Sequence, residues 1–523
     1  MFEKIDNGGV IVKRFYVGLD VGTSGTKLVV FSEEKLDVVY KFAYNYSFKV
    51  DSLGRITVAP DDVLKAVKVS LINASAFLLD LLIDRCELVI SLDTMLHSLL
   101  FLDGELNPIG NLVPWLDETG TQEAVEVLKN PELAQEVHFR TGCPVATTYP
   151  LYKLMWFHKN EAELLDTASK IGSIKDWLLY IFTGKHVVDE SIASGSGCYD
   201  IRARGWAGDL LKKLANVDKA KFPDVVHGDE LFEPSDFLKS IFDERKFKIT
   251  VFAGTSDGAA SSMGTTFGDK QMITISMGTS AAIRKISGEA PSKHLMKGYG
   301  PWCYFFDKEN FIVGSATNNC GNVINWWKDR YLRSKDYSEY EKVLGNIFED
   351  LGESPYQRVL FRPTVFGMRS TRWLPRQSAE FYNLTPNSEL SDMTRAVLEG
   401  LVFKFRRAVE AVRSMDREHK TVAKYVASGG LLEIAGFGKL LATVLNSDVL
   451  YRKDRFDAVL GNVLFALRET NRDAFDAFVR KNSQASKFEP FEQKVEFYEI
   501  LYSRWLQKMT EKEITAIREL IDV

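Results

Sequence analysis

One short unit occurs twice in the chain, and it constrains the possible fold more than any other feature. Residues 15–31, FYVGLDVGTSGTKLVVF, predict a strand, a glycine-rich turn and a second strand, because apolar β-branched runs flank a centre of small residues. Residues 271–286, QMITISMGTSAAIRKI, predict the same unit. This weak duplication indicates two related α/β halves, each contributing a loop of glycine and hydroxyl residues to one cleft.

The length agrees with two domains, since 523 residues are too many for one ordinary domain. A hydrophobic fraction of 45% and a charged fraction of 26% are typical of globular proteins with a large core. The strand pattern restarts near residue 248. We therefore predict a polar extension at residues 1–14, an N-terminal domain at 15–250 and a C-terminal domain at 251–523.

Charge and composition exclude several classes of partner. A formal net charge of -5 argues against nucleic acid, and no polybasic run suggests an anionic membrane surface. The five cysteines are scattered without a CxxC pair, as a reducing compartment permits. The N-terminus lacks the apolar core of a signal peptide, and no apolar run is long enough to span a bilayer. We expect a cytoplasmic protein.

The first loop has the residue types that phosphate transfer requires. Glycine lets backbone N–H groups approach an anion closely, and hydroxyl and ammonium groups can donate to it. Asp20 at the strand end is placed to hold Mg²⁺ directly or through water. An ordinary hairpin turn of small residues is the competing interpretation. The candidate phosphate ligands are Gly22, Thr23, Ser24, Thr26 and Lys27.

The second loop, Gly278-Thr279-Ser280, is by itself as weak an indication of phosphate binding as the first. Two such loops in one chain, however, could bind a polyphosphate from both sides. A third element, GTSDGA, puts Asp257 at a predicted strand-to-helix turn. A carboxylate there can accept the proton of an attacking hydroxyl. The alternative is that Asp257 only caps the helix.

Motifs of competing enzyme classes are missing from the sequence. No Walker A sequence occurs, because Gly184-Lys185 is followed by His186 and lacks the first glycine. There is no GxGxxG motif in a suitable position, no HExxH and no cysteine–histidine spacing for zinc.

Taken together, the loops resemble those of the FGGY carbohydrate kinases, a branch of the actin-like ATPase superfamily, from about Tyr16 to Tyr502. The resemblance implies a two-domain α/β fold of the actin-like, ribonuclease H-like type with an interdomain cleft. It also implies ATP and Mg²⁺ as cofactors and Asp257 as the catalytic base. On the nucleotide side it adds Gly321, Asn325, Gly429 and Gly430 near the ribose and adenine.

On the sugar side the resemblance implies contacts from His97, Trp115, Asp117 and Asp257. The family's Trp-x-Asp-x-Arg motif ends in Thr119 here, so its arginine is missing, and its Gly-Glu-Arg motif is Gly367-Met368-Arg369. Lys153 and Lys175 are weaker candidates, and a solvated helix lysine is the expected role of Lys175.

Three stretches look most like gluconate kinases of the xylulokinase-like branch: TGCPVATTYPLYKLMWF, SIKDWLLYIFTGKHVVDESIASGSGCYD and NNCGNVINWW. We therefore expect ATP-dependent phosphorylation of a hydroxyl on a small sugar or a gluconate-like sugar acid. One alternative is a kinase for a ketose, keto-sugar or polyol such as xylulose. Another is a non-catalytic or ATPase relative. The expected partner is a small molecule, and the chain could act as a homodimer.

Overall fold

The computed structural model describes residues 13–81, 85–349, 354–369, 372–374, 377–415, 424–452 and 458–522. Nearly all of the predicted extension at residues 1–14 lies outside these ranges. Among the described helices, none combines the length and the apolar composition that crossing a bilayer requires.

The strands, in chain order, are β1 (Lys13–Val21), β2 (Gly25–Ser32), β3 (Asp37–Asn45), β4 (Lys49–Val50), β5 (Ile56–Thr57), β6 (Cys86–Thr94), β7 (Leu100–Leu102), β8 (Lys170–Gly172), β9 (Val187–Asp189), β10 (Tyr199–Asp200), β11 (Gly205–Trp206), β12 (Asp224–Val226), β13 (Leu231–Phe232), β14 (Phe247–Ser256), β15 (Met272–Met277), β16 (Ala281–Ser287), β17 (Trp302–Phe305), β18 (Phe311–Thr317), β19 (Leu360–Arg362), β20 (Glu380–Tyr382), β21 (Lys424–Ser428), β22 (Val449–Tyr451) and β23 (Ser486–Phe488).

The α-helices are α1 (Pro60–Leu81), α2 (Thr121–Leu128), α3 (Pro131–Thr141), α4 (Pro150–Asn160), α5 (Ala162–Thr167), α6 (Ile174–Thr183), α7 (Glu190–Ser194), α8 (Gly208–Ala215), α9 (Asp236–Ile241), α10 (Asp257–Thr266), α11 (Gly321–Trp327), α12 (Ser338–Glu349), α13 (Leu390–Ser414), α14 (Phe437–Leu445), α15 (Ala458–Thr470), α16 (Arg472–Lys481) and α17 (Glu492–Asp522). A π-helical turn, Lys328–Leu332, continues α11, and 3-10 turns occur at Lys219–Lys221, Lys293–Leu295 and Gly430–Glu433.

The first sheet has six strands in the order β13-β14-β6-β1-β2-β3. Its centre is parallel, since β6 pairs with β1 on one side and with β14 on the other. The edge beyond β1 is an antiparallel meander of β2 and β3. The carboxyl ends of β1, β6 and β14 therefore lie at the same edge of the sheet, which is where α/β proteins commonly bind ligands.

The second sheet repeats this arrangement in seven strands, β17-β18-β16-β15-β21-β22-β23. Here β15 is parallel to β21 and antiparallel to β16, as β1 is parallel to β6 and antiparallel to β2. The two predicted strand–turn–strand units are thus the first hairpins of two sheets with the same local topology. The predicted domain boundary falls inside β14, a strand of the first sheet, so the exact division at residue 250 stays a prediction.

Helix α15, near the end of the chain, packs against the N-terminal sheet. Its Val459 and Val463 share a hydrophobic cluster with Tyr16 and Val29 of the first hairpin. On its other side α15 crosses α10 at very short range, because a Cβ added to Gly461 would lie 1.8 Å from the Ala260 carbonyl oxygen. The backbone approach of these two helices therefore requires glycine at position 461.

We predict that Gly461→Ala lowers the unfolding temperature, because the added methyl must push α15 off α10 at a cost of about 1–3 kcal/mol or more. The matched control is Gly345→Ala in α12, where a Cβ would meet no atom within 4 Å. That change should stabilise by about 0.5–1 kcal/mol through the lower entropy of the unfolded chain. Calorimetry of both variants checks the pair. If Gly461→Ala and Gly345→Ala unfolded at the same temperature, the close contact between α15 and α10 would be contradicted.

Candidate active site

The two predicted phosphate loops are exposed turns of the two hairpins. In the first, the Gly22 N–H donates to the Gly25 carbonyl at 3.0 Å, and the Tyr46 hydroxyl donates to the Gly22 carbonyl. In the second, the Gly278 N–H donates to the Ser280 carbonyl at 3.0 Å. Each turn is thus held by its own backbone, while the side chains of Ser24, Thr279 and Ser280 remain exposed.

The predicted nucleotide-side glycines meet beside the second loop. The Gly321 N–H donates to the Gly278 carbonyl at 3.0 Å, and a Cβ at Gly321 would lie 2.7 Å from that oxygen. Gly429 has a φ of 116°, and a Cβ there would lie 1.9 Å from the Met277 carbonyl oxygen. Gly430 follows in a 3-10 turn. On α11, Asn325 accepts a hydrogen bond from the Tyr337 hydroxyl at 3.4 Å.

A cavity of about 230 Å³ lies between the two halves of the chain. It is smaller than a pocket for a drug-sized ligand, so its size suits a small molecule. Five predicted residues line it: Thr23, His97, Trp115, Asp257 and Ser280. It is also lined by groups that were not predicted, chiefly Arg284, Trp302, Tyr304 and Arg369.

Asp257 is the first residue of α10, at the carboxyl end of β14. The helix cap is Ser256, whose hydroxyl accepts from the Ala259 N–H at 3.3 Å. The interpretation of Asp257 as a mere cap is therefore wrong. One of its carboxylate oxygens accepts from the Gly258 N–H at 2.7 Å, and the side chain lines the cavity. Burial raises the pKa of Asp257, and the nearby Arg284 guanidinium opposes that rise.

His97 is held as a neutral imidazole. Its Nδ1 lies 2.5 Å from the Gly195 carbonyl oxygen, which can only accept, so Nδ1 carries the proton and Nε2 is free to accept. Burial, together with the positive charge of Arg369, lowers the pKa of His97 to about 3. The backbone φ of 64° is unusual for a residue other than glycine, as often found at functional sites.

Trp115 and Asp117 point in different directions from one turn. The Trp115 indole N–H donates to the Thr23 hydroxyl at 2.9 Å, which ties the cavity wall to the first phosphate loop. The Asp117 carboxylate instead accepts from the backbone N–H groups of Ile56 (2.8 Å) and Thr119 (3.0 Å). It is 1% exposed and is not among the residues that line the cavity.

Two carboxylates lie side by side at the ends of the central strands. Asp20 on β1 is in register with Asp93 on β6, a residue that sequence reasoning missed. Asp93 is fully buried, and burial, followed by the negative charge of Asp20, raises its pKa well above the usual range. Within the described ranges, no group of three His, Cys, Asp or Glu side chains is placed to hold a metal ion.

Of the five candidates in the first loop only Thr23 lines the cavity, and Gly22, Ser24, Thr26 and Lys27 do not. The Thr26 hydroxyl is buried and shares a hydrogen bond of 3.0 Å with Ser70 of α1. The Lys27 side chain is 59% exposed, with its Nζ 4.0 Å from an Asp20 carboxylate oxygen.

Lys175 is not the solvated helix lysine that the sequence suggested. Its side chain is fully buried and pairs with Asp189 at 3.4 Å. The ammonium also donates to the Leu92 carbonyl and, at 3.3 Å, to the Thr255 carbonyl. The Lys175 ammonium thus links β6 to β14 close to the irregularity in their pairing, which lies between Phe252 and Thr255 of β14.

Lys153 is buried as well and donates to the Pro114 carbonyl. Burial lowers its pKa to about 7, against the opposing effect of Asp117. Neither lysine is among the residues that line the cavity.

Two arginines, Arg284 and Arg369, line the cavity although neither was among the predicted site residues. Arg284 lies in β16, four residues after Ser280 of the second loop, and both residues line the cavity. The available signal was a pair of adjacent charges, Arg284 and Lys285, inside a short strand that follows the second loop. In the sequence, Arg369 stands out only as the last residue of the altered Gly367-Met368-Arg369 motif. The residues around it do not predict its contact with Trp115.

A larger cavity of about 360 Å³ contains none of the predicted site residues. Its charged groups largely pair with one another or with close neighbours, as Lys308 does with Asp229 and Arg468 with Asp307, both within 3.1 Å.

Two matching sheets, hydroxyl-rich hairpin loops and a carboxylate at a helix start define an actin-like phosphotransfer protein. Residues 15–264 match the N-terminal domain of the FGGY family of carbohydrate kinases, and residues 273–470 match its C-terminal domain. The chain belongs to this family and is a carbohydrate kinase that uses ATP.

Similar proteins include sugar-acid and ketose kinases. A gluconokinase of Bacillus licheniformis is 26% identical over 518 residues, which cover 96% of this chain and 97% of the relative. A xylulose kinase of Lactococcus lactis subsp. lactis is 24% identical over 507 residues, covering 94% and 96%. The crystal structure of a gluconate kinase from Lactobacillus acidophilus superimposes with a TM-score of 0.84 at 23% identity, covering 95% and 98%.

We predict that Lys175→Met lowers stability by about 3–5 kcal/mol, because it leaves the buried Asp189 carboxylate without its partner. The control is Lys508→Met, which removes an exposed ion pair with Glu511 (3.3 Å) and should cost about 0–1 kcal/mol. Denaturant titrations measure both. A loss at Lys175 no larger than the loss at Lys508 would contradict the structural role given to Lys175.

Proposed function

We propose that this kinase transfers the γ-phosphoryl group of ATP to a hydroxyl of a six-carbon sugar acid such as gluconate. The observation that carries the site assignment is the cavity in which Asp257 lies with one residue of each phosphate loop, Thr23 and Ser280. The gluconokinase relatives and the cationic character of the cavity support the sugar acid. A ketose such as xylulose is the second candidate, since the xylulose kinase relatives match nearly as much of the chain.

In the proposed reaction the substrate hydroxyl faces Asp257, which accepts its proton as the oxygen attacks phosphorus. The raised pKa of Asp257 makes it a better proton acceptor than an exposed carboxylate. His97 offers Nε2 as an acceptor for another substrate hydroxyl. The phosphates lie between the exposed loops at Thr23 and at Thr279-Ser280, and the Gly321–Gly429 side of the second loop faces the nucleoside.

Asp20 would take part in holding Mg²⁺, which offsets the negative charge of the phosphates when bound. A single carboxylate such as Asp20 suits an ion held mostly by the nucleotide and water rather than by a protein cage, and no described group of three ligand side chains would form such a cage. Asp117 has a supporting role in this proposal, since it fixes the turn that carries Trp115. Thr26 and Lys27 support the loop instead of lining the cavity. A cytoplasmic location and a homodimer stay predictions from the sequence.

The direct test of the proposed base is Asp257→Asn, assayed with gluconate and with xylulose. We expect turnover to fall about 10²- to 10⁴-fold while sugar binding changes only a few-fold, because the amide keeps the shape but accepts no proton. Asp236→Asn is the matched control, since Asp236 also begins a helix after a serine but is exposed. Turnover above about a tenth of the parent value would remove Asp257 from the base role.

The metal assignment is tested with Asp20→Asn. We expect a higher Mg²⁺ concentration at half-maximal rate, since the variant lacks one negative charge beside the ion. Asp37→Asn, which alters an exposed carboxylate on β3, should leave the titration unchanged. A Mg²⁺ dependence of the Asp20 variant equal to that of the parent would show the assignment to be wrong.

A further inference from the structure

The substrate cavity is lined by two guanidinium groups, and among the described residues the carboxylate that acts on Arg284 is Asp257, which forms no ion pair with it. Arg284 comes from β16, and Arg369 comes from the chain that follows β19. Within the part of the chain that the structure describes, neither forms an ion pair. Arg284 makes no side-chain hydrogen bond there, and Arg369 makes one long contact, 3.5 Å from its Nη2 to the Thr148 hydroxyl.

Both guanidinium groups contact neighbouring parts of the cavity wall. The Arg369 guanidinium lies 5.0 Å from the centre of the Trp115 ring, a cation–π geometry. The Arg284 Nε passes beside the start of α10, 3.6 Å from where a Cβ of Gly258 would lie. Across the sheet, Arg284 is in register with Gly314, which is in turn in register with Trp302.

Two cations in one small cavity repel each other. The positive charge of Arg369, added to burial, lowers the pKa of Arg284, while Asp257 opposes this. Keeping two positive charges close together in a small cavity costs free energy, and an anion that accepts hydrogen bonds from both guanidinium groups would reduce that cost. The cavity is therefore suited to a ligand that carries a negative charge.

The other nearby basic groups cannot supply this function. His97 is neutral, with its Nδ1 proton given to the Gly195 carbonyl. Lys153 donates to the Pro114 carbonyl, and Lys175 is paired with Asp189 behind the ends of β6 and β14. The family's arginine after Asp117 is Thr119 here.

We propose that Arg284 and Arg369 form a carboxylate-binding subsite that selects sugar acids over neutral sugars and polyols. The proposal rests on the function proposed above and names the groups that determine its substrate. A planar guanidinium can donate two parallel hydrogen bonds to a carboxylate, which fixes the far end of a linear substrate. With that end held, a hydroxyl along the chain faces Asp257. Trp115 holds Arg369 and also contacts Thr23, so the subsite adjoins the first phosphate loop.

The same two arginines could instead serve the phosphoryl group of ATP, and the experiment separates these anions. Arg284→Gln and Arg369→Gln are compared with the parent in calorimetric binding of gluconate and of its neutral analogue sorbitol, without nucleotide. Binding of Mg²⁺–ATP is measured separately. We expect gluconate binding to weaken about 10- to 100-fold, while sorbitol and nucleotide binding change less than about threefold.

Arg245→Gln, which alters an arginine 88% exposed, is the matched control and should change none of these values. Arg284→Lys should recover part of the gluconate affinity, since it restores the charge but not the planar fork. Calorimetric melting of each variant verifies folding.

Equal losses for gluconate and sorbitol, or weakened nucleotide binding with gluconate binding intact, would overturn the carboxylate subsite. Failure of the subsite is distinguishable from failure of the proposed function. If the parent phosphorylates gluconate but the variants keep its preference over sorbitol, only the subsite is wrong. If the parent phosphorylates neither gluconate nor another sugar acid, the proposed substrate is wrong.

Discussion

The packing of helix α15 is the constraint on which the geometry of the active site depends. This helix contacts the first phosphate-loop strand on one side, where a Cβ at Gly18 would lie 2.7 Å from the Val459 carbonyl oxygen. On the other side it crosses α10 at Gly461, and Asn462 accepts a buried hydrogen bond of 2.7 Å from Ser91 of β6. Because α10 begins with Asp257 and β1 ends at Asp20, one rigid helix sets the spacing between the proposed base and the metal-side carboxylate.

Charged groups are unevenly distributed around the cavity. At the ends of the central strands, Asp20 lies beside Asp93, whose pKa is raised by burial, and Lys175 forms a buried pair with Asp189 nearby. On the other side, Arg284 and Arg369 concentrate positive charge around a neutral His97. This separation of charge can orient a substrate that has a carboxylate at one end and hydroxyl groups along its length. In the proposal, the carboxylate binds the arginines and a hydroxyl group lies beside Asp257.

Much of the phosphate side could be predicted from the sequence. Each phosphate loop and the turn at Asp257 is encoded by about ten consecutive residues in which glycine, hydroxyl and carboxylate groups follow an apolar strand. The topology then brings these turns to the same edge because parallel strands end on the same side. The sugar side was predicted less well. Asp117 has the expected identity, yet its carboxylate is occupied by backbone N–H groups, and Lys175 is buried where a helix pattern alone suggested exposure.

The sequence by itself determined the two-sheet actin-like architecture, the two loops and the position of Asp257, because each follows from local periodicity and from residues close together in the chain. Only the tertiary structure decided which cations line the cavity. Arg284 and Arg369 are separated by more than eighty residues, and Trp115 lies in the other half of the chain. Their meeting depends on how two sheets and α15 pack, and packing between distant segments leaves no local pattern in a single sequence.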